Sequence, residues 1–186
     1  MMKRIAIVFV FLLLFSLAAC KNEDSATEPT TSPTVASNAT VTRTLPSAYI
    51  TDDVYSFDAQ SYAELYDYDE ISYDDISDTF TLVMSGERYN QLVSDLFENI
   101  RTGVADIVES EYYPHIKDIQ YTNDFGAFTL YVDRDGYLSA EDYTPEYIAS
   151  FAVMYRDVLE LDPKISFTII DAADGSTLSL MTLPEE

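Results

Sequence analysis

Oxygen-bearing side chains recur at ligand-like spacing in YVDRDGYLSAED, residues 131–142. A calcium loop of the helix–loop–helix type takes oxygens at loop positions 1, 3, 5, 7, 9 and 12 around a glycine at position 6. With Gly136 at position 6, Asp133, Asp135, Tyr137, Ser139 and Asp142 fall at 3, 5, 7, 9 and 12. Tyr131 stands at position 1 and offers no carboxylate, and the preceding AFTLYVD alternates like a strand where the motif needs a helix. The segment is therefore read as a strand-to-helix loop turning at Gly136. A weak calcium-responsive site, with a dissociation constant of roughly 10⁻⁴ to 10⁻³ M, is the alternative.

Other reactive groups are scarce. The chain has one histidine, His115, and one cysteine, Cys20. Imidazole and thiolate are the usual zinc ligands, nucleophiles and neutral-pH bases, so zinc hydrolases, cysteine proteases and serine triads are disfavoured. His115 follows Pro114 in a loop and is read as structural or solvated. No glycine-rich phosphate loop and no nucleophile elbow occurs. Carboxylate catalysis on envelope or glycan substrates stays open as an alternative, but 33 acids in 186 residues make carboxylate pairs common by chance, and tryptophan, frequent in sugar sites, is absent. No catalytic residue, metal ligand or cofactor is assigned.

The elements that would position any such site begin at Thr79. Phe80, Leu82 and Met84 alternate as one face of a strand. Ser85 caps a helix of about 24 residues, with Tyr89, Leu92, Val93, Leu96, Ile100, Val104 and Ile107 on its apolar face. Ile116–Thr122 and Ala127–Asp133 read as strands joined by a turn at Asn123–Gly126. Thr144-Pro145-Glu146 predicts a helix start with Thr144 as N-cap. Ile165, Phe167 and Ile169 mark a further strand, and a turn at Asp174-Gly175 leads to a last strand over Thr177–Leu183. The predicted fold class is α+β, a two-layer sandwich. It has an antiparallel sheet with two helices on one face, in the ferredoxin-like split βαβ order β-α-β-β-α-β-β.

The amino terminus has a different character. Lys3 and Arg4 precede the apolar run Ile5–Leu17, thirteen residues long. A spanning helix needs about 20 residues, so this run fits the core of a secretory signal peptide. Leu17-Ala18-Ala19-Cys20 then resembles the lipobox of bacterial lipoproteins. The resemblance implies cleavage between Ala19 and Cys20, diacylglyceryl attachment to the Cys20 sulfur, and anchoring at the extracytoplasmic face of the cell membrane. Cys20 has no other cysteine to pair with, which agrees with lipidation.

Four segments follow from composition. Residues 1–19 form the lipoprotein signal peptide. Residues 20–47 form a disordered tether rich in Thr, Ser, Pro and Ala; as a flexible coil it would span about 30 Å. Residues 48–78 hold ten acidic residues and six tyrosines and are read as a linker or an interaction segment, with tyrosine rings making apolar contacts and aspartates meeting a basic partner. Residues 79–186 form the α+β domain.

FTLVMSGERYNQLV and IKDIQYTNDFGAFTLYVD, behind a lipobox and an acidic linker, are similar to small lipoproteins of Gram-positive, Clostridia-type bacteria. That resemblance implies a cell-envelope compartment and an α/β carboxy-terminal domain, and no assigned activity. The formal charge of −23 becomes −25 once Lys3 and Arg4 leave with the signal peptide. Such a chain repels nucleic acid and anionic lipid. The expected partners are the membrane, through lipid on Cys20, and an envelope protein or glycan. The expected function is that of a membrane-anchored binding or accessory module.

Overall fold

The structure, a computed structural model, describes residues 34–140 and 142–184. Cys20 and the signal-peptide and lipobox assignments lie outside the described residues.

Seven strands form two sheets. β1 (Thr40–Pro46), β2 (Glu70–Asp74) and β3 (Thr79–Ser85) make an antiparallel sheet of order β1-β3-β2. β4 (Ile116–Tyr121), β5 (Ala127–Val132), β6 (Ile165–Asp171) and β7 (Thr177–Leu183) make the second, of order β4-β5-β6-β7. In it β5 and β6 run parallel and the outer pairs antiparallel. The parallel pair needs a crossover, supplied by α3 (Arg134–Ser139) and α4 (Thr144–Val158). The other helices are α1 (Ala59–Tyr66) and α2 (Gly86–Glu109).

The class is α+β, in two layers, as expected. The strand order differs from a single split βαβ sheet. β3 takes β1 and β2 as neighbours and stands apart from β4–β7. The cause lies in Thr40–Pro46, which composition placed in the tether. Val41 and Leu45 point inward and are buried, and Thr40 through Pro46 pair in register with Ser85 through Thr79. Once β1 occupies one edge of β3 and β2 the other, no edge remains for the second sheet. Likewise, residues 48–78 contain a helix, α1, and a strand, β2, packed on the same core. The packed unit therefore includes β1, α1 and β2 in addition to residues 79 onward.

Polar contacts fasten this amino-terminal part to the rest. The Arg43 guanidinium donates from Nε to the Val158 carbonyl at the end of α4 (2.6 Å) and lies 4.8 Å from the Tyr89 ring centroid on α2. A cation at a helix carboxyl end is favourable against the dipole, and stacking on tyrosine adds to it. The Tyr49 hydroxyl donates to Asp157 at 2.8 Å. Gly86 opens α2 under the turn at Ala36–Ala39. A Cβ there would sit 2.0 Å from the Ala36 carbonyl oxygen, so only glycine fits.

Strand alternation builds the core. Phe80, Leu82 and Met84 of β3, Phe128, Leu130 and Val132 of β5, and Ile165, Phe167 and Ile169 of β6 are all buried. Phe128 stacks on Phe125 and on Phe167, with centroids 6.1 and 5.3 Å apart. Ser85 caps α2 by accepting from the Arg88 N–H, as its sequence pattern predicts.

The turn before β5 is held by Arg156 of α4. Its buried guanidinium donates to the Asp124 carbonyl (2.8 Å) and carboxylate (2.9 Å) and to the Asp162 carbonyl (2.6 Å). Partial burial pushes the Asp124 carboxyl up, but hydrogen bonds from Thr122, Arg156 and the Gly126 N–H, together with the Arg156 charge, outweigh it and hold the group at about 2. The carboxyl titrates lower folded than unfolded, where about 3.9 is usual. Its stabilisation is thus complete above about pH 4 and is lost as pH falls through about 2. Urea unfolding of wild type and Asp124→Asn between those limits measures this. The expected result is a shallower fall in stability for the variant; parallel falls would contradict it.

Candidate functional site

The most chemically distinctive cluster joins the lone histidine to the YVDRDGYLSAED segment. His115 enters β4, and its carbonyl accepts from the Asp133 N–H at 2.7 Å, just past the end of β5. Asp133 then caps α3, accepting from the Gly136 N–H at 2.9 Å. Gly136 lies directly on the histidine: a Cβ there would stand 2.7 Å from the His115 Cβ. Here glycine is required by close approach, since α3 could not otherwise lie against β4. Arg134 holds the far side of α3, donating to Asp171 at 2.6 Å and to Ser176 at 2.6 Å at the β6–β7 turn.

Asp142 closes the cluster. Its Oδ2 lies 3.0 Å from His115 Nε2, and its Oδ1 accepts from the Thr144 N–H at 2.9 Å. The two side chains are 8% and 2% exposed, so the pair is effectively out of water. One carboxylate thus orients the imidazole and also accepts from the first N–H of α4. Thr144, predicted as the cap, is instead the first residue of the helix, and its buried Oγ1 has no hydrogen-bond partner among the described residues. The helix starts one residue earlier than Thr144 as cap would require, because Asp142 accepts from the Thr144 N–H and carries charge toward the positive helix end.

A hollow of about 470 Å³ opens beside the pair. Its lining includes the exposed Tyr112, Lys117, Asp133 and Ser139 and the more buried His115 and Asp142. Tyr112 is exposed, Lys117 donates to the Pro114 carbonyl at 2.6 Å, and the Ser139 hydroxyl donates to the Gly136 carbonyl at 3.0 Å. Because the pair is nearly inaccessible, a ligand in this hollow would meet chiefly the exposed Tyr112, Lys117, Asp133 and Ser139, with the His115–Asp142 pair fixing the wall behind them.

The calcium pattern is not assembled as a loop. Residues 134–139 are helical, Tyr131 belongs to β5, and Asp133 and Asp142 spend their oxygens on Gly136, Thr144 and His115. Among the described residues, no group of three or more His, Cys, Asp and Glu side chains could hold a metal ion. Sequence inspection missed the His115–Asp142 pair because the two residues are 27 positions apart. The local signal was a proline-histidine step entering a strand, facing a glycine that only a close neighbour would require. No protein family matches the chain, and no curated protein or solved structure is significantly similar to it.

Proposed function

We propose that the chain is a lipid-anchored, extracytoplasmic binding or accessory module of the cell envelope. The observation that carries this is MMKRIAIVFVFLLLFSLAAC, in which a basic flank, a short apolar run, two small residues and a cysteine stand in lipoprotein order. Among the described residues no helix is long and apolar enough to cross a membrane. Acyl chains on Cys20 would supply attachment, each buried methylene contributing about 0.8 kcal/mol, so that two chains hold stably where one does not. Polar residues 21–33 would then separate the folded unit from the headgroups. The open hollow beside His115 supports a binding role for that unit.

Cys20→Ser in the full chain tests the anchor. Wild type should incorporate a palmitate label and sediment with membranes, whereas the variant should take up no label and keep residues 1–19. Equal labelling of the two proteins would overturn the assignment.

A further inference from the structure

A second hollow, of about 600 Å³, lies between α1 and β2. Its floor is half-buried or buried and largely apolar, formed by Ala59 and Ala63 of α1, Tyr68 and Ile71. Its rim carries Glu64, Asp67, Asp69 and Glu70, all exposed. Among the described residues none of these four carboxylates forms an ion pair, and no basic residue lines the groove.

The groove is bounded by an unfinished sheet. β2 is an outer strand and pairs with β3 alone. The helix beside it is firmly placed. Asp58 caps α1 by accepting from the Gln60 and Ser61 N–H groups. Arg88 of α2 donates to the Tyr66 carbonyl at 2.6 Å and lies 5.3 Å from the Tyr68 ring centroid. A fixed helix next to an open strand edge, with an apolar floor between them, is the arrangement by which folded domains take up an extended peptide as an added strand.

Charge selects the occupant. Glu70 and Asp74 on β2 repel a second copy of this edge, which is how native sheets avoid self-pairing. The chain's formal charge of −23 draws cationic segments toward it. We propose that this groove binds an extended, lysine- or arginine-rich segment of a partner protein, which adds to the β1-β3-β2 sheet alongside β2. The apolar floor takes side chains from one face of the segment, and the four carboxylates meet basic side chains at its borders. Peptide capture here rests on the binding-module reading and gives it a site. It does not depend on the lipid, so the Cys20 result and the peptide result can fail separately.

Fluorescence anisotropy with the full chain tests it. The probe is a labelled ten-residue peptide alternating lysine and valine. Its control has the same charge but proline at the valine positions, which removes half of its N–H donors, fixes φ at about −65° at every second residue and so disfavours an added strand. The lysine-valine peptide should bind at least about tenfold more tightly than the proline control. The triple variant Glu64→Gln, Asp67→Asn, Glu70→Gln should weaken binding about tenfold. Asp106→Asn, Glu109→Gln, Glu111→Gln removes the same charge elsewhere and should change it by less than about twofold. Equal affinity for the two peptides would show polyelectrolyte attraction only and overturn the proposal. So would absence of binding, or equal weakening in both triple variants. The peptide comparison uses the wild-type chain, so it stands even if a variant misfolds.

Discussion

Asp142→Ala is expected to destabilise the fold by about 3 kcal/mol. The substitution strands His115 Nε2 in a dry site, at about 1–3 kcal/mol for a buried polar group left unsatisfied. It also removes the acceptor for the first N–H of α4, and loss of a hydrogen bond to a charged group costs about 1.5–3 kcal/mol at most. No discount for solvent applies, because both side chains are nearly inaccessible. For a chain of this size the melting temperature should fall by about 6–12 °C. Asp142→Asn keeps an oxygen to accept from the Thr144 N–H and should lose about half as much. Thermal unfolding by circular dichroism measures both. A change below about 1 kcal/mol for the alanine variant would mean that the pair does not hold β4 to α4.

The other large effect belongs to Phe167→Ala. Phe167 lies on β6, with β5 on one side and β7 on the other, and its ring stacks on Phe128 at 12° between planes. Phe128 continues to Phe125, which meets Tyr155 of α4 edge-on at 5.1 Å. Truncation opens a void at the β6 end of this row, where Phe167 is 1% exposed and lies between β5 and β7. Such losses cost about 3–5 kcal/mol. Leu180→Ala on β7 supplies the comparison. Leu180 is 72% exposed, so its truncation should change stability by no more than about 0.5 kcal/mol. Urea midpoints of the two variants read out the contrast, and similar shifts would contradict this placement of the core.

The same local physics explains what the sequence made legible. β3, β5 and β6 alternate cleanly because one face of each is buried, and α2 keeps its apolar residues three and four apart for the same reason. β1 was hidden because its threonines and proline have the composition of a tether. Its strand conformation comes from the ladder with β3, a partner some 40 residues away. β2 was obscured by Glu70 and Asp74, whose charges suit an outer strand and mask the alternation around Ile71. Strand order depended on these two elements, so it could not be read from the later strands alone. The His115–Asp142 pair follows the same rule: each half looked ordinary, and only the placement of α3 and α4 brings them together. By contrast, the proposed lipobox rests on a local order of residues, Leu17-Ala18-Ala19-Cys20, and its reading needs no fold.

The proposed membrane anchor is tested most directly by the mass of the mature amino terminus. The chain purified from the membranes of the producing cells should begin at Cys20 and carry a diacylglyceryl group on its sulfur. A chain that retains residues 1–19, or that begins at an unmodified Cys20, would contradict the account.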